Sequence, residues 1–214
     1  MRYATTLTAL ALTAAGIAAQ DMEQSGPFYL HIKGYGNDLD GYVSACHAGA
    51  AIEGLCYTAG KPTNLASDPY EYYFNTTTSG GPDVDGSPTG TLFWRLPVQV
   101  NETTPFVEQA MSFQYAPSTN IAAPLFTFQS GTLVGFNTTG LSKQLFAYAY
   151  ADDSKFQPGV RPDIGLSFAI RHWFVCWQYI GAGYYYQAVG FSTTLPPHNP
   201  TCQAVEIVRE LPAN

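Results

Sequence analysis

Hydrophobic and polar residues alternate along much of this chain, which is the pattern of a β-strand with one buried face. Residues 28–33 are a clear example, because Phe28, Leu30 and Ile32 alternate with more polar neighbours. The same period of two predicts further strands over residues 70–75, 89–96, 111–115, 132–136, 145–150 and 205–210.

The longest hydrophobic signal is an aromatic-rich stretch near the C-terminus. Residues 172–180 and 184–191 flank the sequence Gly-Ala-Gly, which predicts a β-hairpin with a turn that glycine permits. One face of the first strand carries four apolar residues: Trp173, Val175, Trp177 and Tyr179. Because its other face also holds apolar residues, we expect this strand to lie centrally or to be covered on both sides.

The period of two also selects a core and a fold class. We expect eight alternating apolar residues to be buried: Phe28, Leu30, Ile32, Leu92, Trp94, Leu96, Met111 and Phe113. Only residues 48–53 predict a helix, a short one inside a disulfide loop. Many short strands separated by Gly, Pro, Asn and Asp indicate one all-β domain over residues 20–214, an antiparallel β-sandwich that is jelly-roll-like or barrel-like.

The N-terminus has the features of an export signal. Arg2 precedes an apolar run over residues 7–17 that is too short to span a bilayer, and small residues follow it. We predict that residues 1–19 are a signal peptide and that the mature chain begins at Gln20. Neither a later membrane span nor a lipid-anchor signal is evident in the sequence, so we expect a secreted, extracellular protein.

The cysteines and glycosylation sequons fit an exported chain. An even number of cysteines in such a chain suggests disulfides. Four cysteines allow three pairings, and the one we favour joins neighbours in sequence, Cys46–Cys56 and Cys176–Cys202. Three N-x-[ST] sequons predict glycosylation at Asn75, Asn101 and Asn137.

Composition and charge exclude a disordered chain and make some classes of binding partner unfavourable. Hydrophobic residues make up 46% of the chain and charged residues 12%, which is the opposite of a disordered composition. The net charge is −7 with only nine Lys and Arg residues, so nucleic acid is a poor partner.

We assign no catalytic residue, metal site or cofactor from the sequence. Ser167 lies in a near match to G-x-S-x-G, but that motif needs a strand–turn–helix context, so we interpret Ser167 as a strand residue. Residues 83–86 imitate the start of a calcium loop without its later ligands. A histidine-brace copper site requires His where Gln20 begins the mature chain. No two carboxylates pair as in a glycosidase, and we expect Glu53 to accept local hydrogen bonds in a structural role.

The aromatic residues are the feature most open to a functional interpretation. Tyr184, Tyr185 and Tyr186 alternate faces, so some point away from the core unless both faces are covered. A pyranose stacks its apolar face on an aromatic ring, and we therefore select these three tyrosines as candidate ligand-binding residues. The alternative is core filling, because each buried aromatic removes about 150–250 Å² from water.

Several segments resemble a family of small secreted proteins of ascomycete fungi that is defined only as a domain of unknown function. The most specific is the block CHAGAAIEGLC at residues 46–56, and the likeness extends to residues 25–28, 111–115, 124–126, 173–176 and 199–202. The resemblance implies a secreted, β-rich fungal protein with two disulfides. It implies no catalytic residues.

These observations lead to one hypothesis and two alternatives. We expect a secreted, non-catalytic protein that associates with the cell wall or binds a glycan such as cell-wall polysaccharide. The first alternative is a host-directed effector or other module that binds an extracellular protein, marked by a large exposed apolar patch. The second is a hydrolase acting on polysaccharide, marked by two carboxylates or a Ser/His pair in a cleft.

Overall fold

The structure is a computed structural model that describes residues 22–77, 81–101, 104–139, 143–162 and 167–212, without the side chains of residues 99–101 and 104. The signal peptide predicted over residues 1–19 lies outside these ranges. The described residues form fourteen strands: β1 (Met22–Gly34), β2 (Asp40–Gly49), β3 (Ile52–Ala59), β4 (Tyr72–Thr77), β5 (Asp83–Val84), β6 (Ser87–Asn101), β7 (Thr104–Gln114), β8 (Ile121–Thr127), β9 (Val134–Phe136), β10 (Leu145–Ala149), β11 (Phe168–Ile170), β12 (Trp173–Ile180), β13 (Tyr184–Ser192) and β14 (Gln203–Glu210). Two single-turn 3₁₀ helices cover Asp68–Tyr70 and Asp153–Lys155.

Nine antiparallel strands close into a barrel. Their order around the barrel is β6-β4-β1-β14-β12-β13-β3-β8-β7, and β7 pairs back with β6. Strand β2 pairs with β1 and β3, while β9, β10 and β11 extend the sheet beyond β6. Closure gives the barrel strands hydrogen-bonding partners on both sides, which removes the exposed edges of an open sheet.

The prediction of an all-β chain is confirmed, and the architecture is a closed barrel with extra strands. The helix predicted over residues 48–53 is wrong. Strand β2 ends at Gly49 and β3 begins at Ile52, so these residues form the tip of a hairpin. Ala51 takes a positive φ of 54° at this turn, a single left-handed residue that reverses the chain and cannot continue a right-handed helix.

The core fills the barrel with the alternating apolar residues. Of the eight core residues predicted from the sequence, six are buried: Phe28, Leu30, Ile32, Leu92, Trp94 and Met111. Leu96 and Phe113 are half-buried and pack against the same core. Trp173 is fully buried on β12, where its indole N–H donates to the carbonyl of Leu145 at 2.9 Å.

Both predicted disulfides form. Cys46–Cys56 joins β2 to β3, and Cys176–Cys202 joins β12 to the loop that leads into β14, with Cα–Cα distances of 5.8 and 4.1 Å. Two disulfides are consistent with an extracellular protein.

Candidate functional site

An open groove of about 530 Å³ lies beside the tip of the β12–β13 hairpin. The end of β7, the loop that follows it, the start of β8 and the loop before β14 complete its walls. The lining residues are Gln114, Tyr115, Ala116, Ser118, Thr119, Ile121, Ala123, Trp177, Gln178, Tyr179, Gly181, Tyr185, His198 and Asn199.

Three aromatic rings from the hairpin form a continuous cluster in this groove, which we call the aromatic platform: Trp177, Tyr179 and Tyr185. The rings of Trp177 and Tyr185 stack with centroids 5.6 Å apart and planes at 27°. Tyr179 lies against Tyr185 with centroids 4.9 Å apart. The three side chains are 46%, 72% and 53% exposed, respectively.

The platform exists because β12 continues past the end of the barrel core. Trp173 and Val175 occupy the same strand face as Trp177 and Tyr179, and both are buried. The neighbouring strand β14 pairs with β12 only at Phe174 and Val175. Beyond that point the alternation continues unchanged, but the side chains face the groove instead of the core.

Side chains of the loop over residues 193–202 fix it to the platform by hydrogen bonds to the backbone of Trp177. The side chain of Asn199 donates to the carbonyl of Trp177 at 2.9 Å, and the hydroxyl of Thr201 accepts from the amide of Trp177 at 2.9 Å. The Cys176–Cys202 disulfide joins the same two segments. Asn199 and His198 are therefore held beside the rings.

A second asparagine fixes the other side of this loop. The side chain of Asn120 donates to the carbonyls of Thr194 and Pro196, both at 3.0 Å, and accepts from the amide of His198 at 2.8 Å. Asn120 follows the groove residue Thr119, so it links two walls of the groove. The groove walls are thus preorganised by hydrogen bonds and a disulfide.

The polar lining of the groove consists of uncharged amide and hydroxyl groups together with the imidazole of His198. Amide and hydroxyl groups come from Gln114, Ser118, Thr119, Gln178 and Asn199. Gln178 is oriented by two hydrogen bonds from its amide, to the carbonyls of Ala188 at 3.2 Å and Val189 at 3.0 Å. Among the lining residues that the structure describes there is no Asp or Glu.

The structure separates the three tyrosines selected from the sequence. Tyr185 belongs to the aromatic platform, whereas Tyr184 and Tyr186 stack on each other on the opposite face of β13, with centroids 6.1 Å apart. Tyr184 also meets the ring of His47 edge-on. Trp177 and Tyr179 were not selected, because the sequence pattern placed them on the same face as the core residue Trp173.

Glu53 lies near the Tyr184–Tyr186 pair rather than in the groove. It sits on β3 opposite His47 of β2, with 3.5 Å between the His47 Nδ1 and a carboxylate oxygen. Burial raises the pKa of the Glu53 carboxyl, and His47 only partly opposes this shift. Its described partner is an imidazole and not a second carboxylate.

The other residues considered from the sequence make local hydrogen bonds outside the aromatic groove. Ser167 directly precedes β11, and its hydroxyl lies 3.3 Å from that of Tyr148. Residues 83–84 form β5 and residues 85–86 the turn to β6, where the Asp83 carboxylate accepts from the Gly86 amide at 3.4 Å. Within the described ranges, no three potential ligands from His, Cys, Asp or Glu cluster as they would around a metal ion.

The predicted glycosylation residues lie at strands or their ends. Asn75 is half-buried on β4, and its side-chain oxygen accepts from Gln24. Asn137 is half-buried just after β9, and its oxygen accepts from Arg171. In both, the bonded atom is the oxygen, whereas glycosylation uses the amide nitrogen. Asn101 ends β6, and its side chain is outside the described part.

Two acidic residues line a smaller pocket of about 210 Å³. Asp68 and Glu71 line it together with Arg95, whose guanidinium lies over the rings of Tyr73 and Phe106 at 3.7 and 4.3 Å from their centroids. Arg95 also pairs with Glu108 at 3.1 Å. This pocket is less than half the volume of the aromatic groove.

Fold and site together define a disulfide-bonded, closed-barrel β-protein with an aromatic surface groove. The chain belongs to the family described as a domain of unknown function, DUF7907, whose family model matches residues 25–211. The resemblance to a domain of unknown function is therefore confirmed. No curated protein and no solved structure matches the sequence. In the described ranges, no helix has the length and hydrophobicity needed to cross a membrane.

Proposed function

We propose that this protein is a secreted, non-catalytic glycan-binding module whose ligand is a polysaccharide chain bound in the aromatic groove. The observation that carries the proposal is the aromatic platform itself, three contacting rings left 46–72% exposed on one wall of a groove. Each ring left half-exposed forgoes about 2 kcal/mol of burial. A contiguous exposed aromatic surface beside polar groups is typical of an interaction site.

The chemistry of the groove suits a neutral sugar. The apolar face of a pyranose can stack on Trp177 and Tyr185, while its hydroxyl groups can donate to the side-chain oxygen of Gln178 and accept from the side-chain amide of Asn199. A concave site with an aromatic wall and a few oriented polar groups is the usual composition of a small-ligand site. Because Asn199 is already bonded to the Trp177 carbonyl, little side-chain freedom remains to be lost on binding.

The absence of acids from the described groove lining supports binding without hydrolysis. Glycosidases cleave with two carboxylates about 5–10 Å apart across the scissile bond, and the described residues of this groove supply neither of them. We therefore expect the bound polysaccharide to be recovered uncut.

Calorimetric titration with cellohexaose, laminarihexaose and chitohexaose tests the proposal. At least one hexasaccharide should bind, and Tyr179→Ala should weaken binding by at least about tenfold, since aromatic anchors at the centre of a site cost more than ~1.4 kcal/mol when truncated. Tyr35→Ala is the matched control, because Tyr35 is also 72% exposed but does not line the groove. Equal effects of the two variants, or no binding of any hexasaccharide, would contradict the proposal.

The proposed location outside the cell has a separate test. The mature chain should begin at Gln20 and carry sugar on Asn75, Asn101 and Asn137. N-terminal sequencing and mass spectrometry of the secreted protein measure both, and retention of residues 1–19 would refute this part of the proposal.

A further inference from the structure

A second pocket, of about 410 Å³, lies away from the aromatic groove. Its walls combine apolar residues with charged ones. The apolar lining comes from Phe74, Pro88, Phe136 and Leu211. Arg209 and Lys143 add two cations, and Glu23 adds one carboxylate.

Arg209 is the unusual residue of this pocket. Its guanidinium lies over the ring of Phe28, 4.2 Å from the centroid, and 5.6 Å from that of Phe136. Its Nε is buried and has no hydrogen-bond partner among the described residues. Burial lowers the pKa of Arg209. A partly desolvated guanidinium with a buried N–H that lacks an acceptor is costly, so its environment favours an added anion.

We propose that this pocket binds a small organic acid, with the carboxylate on Arg209 and an apolar body against Phe74 and Phe136. The guanidinium N–H groups match the geometry of a carboxylate, and Lys143 adds a second positive charge at the rim. The volume lies within the range of about 300–1,000 Å³ that is usual for small-molecule sites. The inference is independent of glycan binding, because the two pockets share no lining residue.

The positive charge is local. The whole chain carries a net charge of −7, so the overall electrostatic field of the protein repels an anion. Selection of an anion therefore depends on Arg209 and Lys143 in this pocket, and not on the charge of the molecule.

Calorimetric titration with octanoate, 1-octanol and inorganic sulfate separates the two parts of the proposal. The secreted protein is first treated with an endoglycosidase, because the predicted glycosylation residue Asn137 also lines the pocket. Octanoate should bind at one site, and at least about tenfold more tightly than either other probe, since a charge-assisted hydrogen bond contributes more than one factor of ten. If octanol bound as tightly as octanoate, the role of the cations would be overturned. If sulfate bound as tightly as octanoate, the role of the apolar walls would be overturned. No octanoate binding would overturn both.

Variants locate the site. Arg209→Met should abolish octanoate binding, and Arg209→Lys, which keeps the charge but loses the planar fork, should weaken it. Because Arg209 packs on Phe28, Lys143→Gln on the exposed rim provides a variant that leaves the core untouched, and it should weaken binding severalfold. Lys33→Gln, an exposed lysine outside the pocket, removes the same charge and should have no effect. Equal effects of the two lysine variants would contradict the assignment.

Discussion

Trp94 is the residue whose packing most directly tests the barrel core. Its ring lies 6.3 Å from that of Phe126, and its indole N–H donates to the carbonyl of Asp68 at 2.7 Å. Trp94→Ala leaves a cavity and an unpaired carbonyl, and should lower the free energy of unfolding by about 3–5 kcal/mol in urea denaturation. Trp177 is the control, because it is 46% exposed: Trp177→Ala removes less buried surface and leaves no enclosed cavity, so it should lower the free energy of unfolding clearly less than Trp94→Ala does. Similar losses of unfolding free energy in the two variants would contradict the placement of Trp94 in the core and of Trp177 at the surface.

Glu53 should make stability depend on pH. Because burial raises its pKa above the ordinary value of 4.5, the folded state favours the protonated carboxyl. The stability contributed by Glu53 is then full below about pH 4.5 and is lost as the pH rises through its folded-state pKa. The imidazole of His47 is the titratable group that faces it in the described structure.

Thermal unfolding of Glu53→Gln measures this effect. The variant is neutral at every pH, so its melting temperature should rise relative to that of the wild type between about pH 4 and pH 7. Asp38→Asn, at an exposed carboxylate, should give a difference from the wild type that stays nearly constant. If the melting temperature of the wild type instead rose relative to that of Glu53→Gln as the pH increased, the ionised carboxylate would be stabilising and the prediction would be contradicted.

At the scale of elements, the sequence predicts strands well where one face is polar. The alternating stretches became β1, β4, β6, β7, β9, β10 and β14, and the Gly-Ala-Gly turn joins β12 to β13. The β2–β3 hairpin was missed because residues 48–51 are small and carry no period of two. Strand β8 was missed because it is buried at six consecutive positions and contains Pro124, so neither alternation nor β-propensity marks it.

The tip of the β12–β13 hairpin depends on Gly181. It has a φ of +53°, and a Cβ there would collide with the carbonyl of Ala48, which accepts from the Ala182 amide at 2.7 Å. Gly60 also has a positive φ, +67°, but a Cβ added to it would have no atom of the described residues within 4 Å. Gly60→Ala should therefore cost about 1–2 kcal/mol from the backbone alone.

Gly181→Ala should cost at least about 1 kcal/mol more than Gly60→Ala, because the collision adds to the same backbone strain. Urea denaturation of both variants measures the difference. Since Tyr185 lies on this hairpin, Gly181→Ala should also weaken hexasaccharide binding in the folded fraction. Equal stability losses would show that the contact with Ala48 is dispensable.

At the scale of the whole molecule, the sequence selects Tyr185 of the aromatic platform but not Trp177 or Tyr179. Alternation correctly placed Trp173, Val175, Trp177 and Tyr179 on one face of β12. It could not show that the barrel core ends between Val175 and Trp177, because that limit is set by where β14 stops pairing with β12. Residues 198–199 complete the groove through contacts far apart in sequence, which no local pattern reveals.

The most direct test of glycan binding in the groove uses tryptophan fluorescence. Trp94 and Trp173 are buried, at 5% and 1% exposure, whereas Trp177 is 46% exposed, so a ligand on the platform should change the emission of Trp177 selectively. Titration with the hexasaccharides should give a saturable emission change with at least one of them, and Trp177→Phe should abolish the change. An emission that stays constant for every hexasaccharide, or a change that survives in Trp177→Phe, would contradict the account.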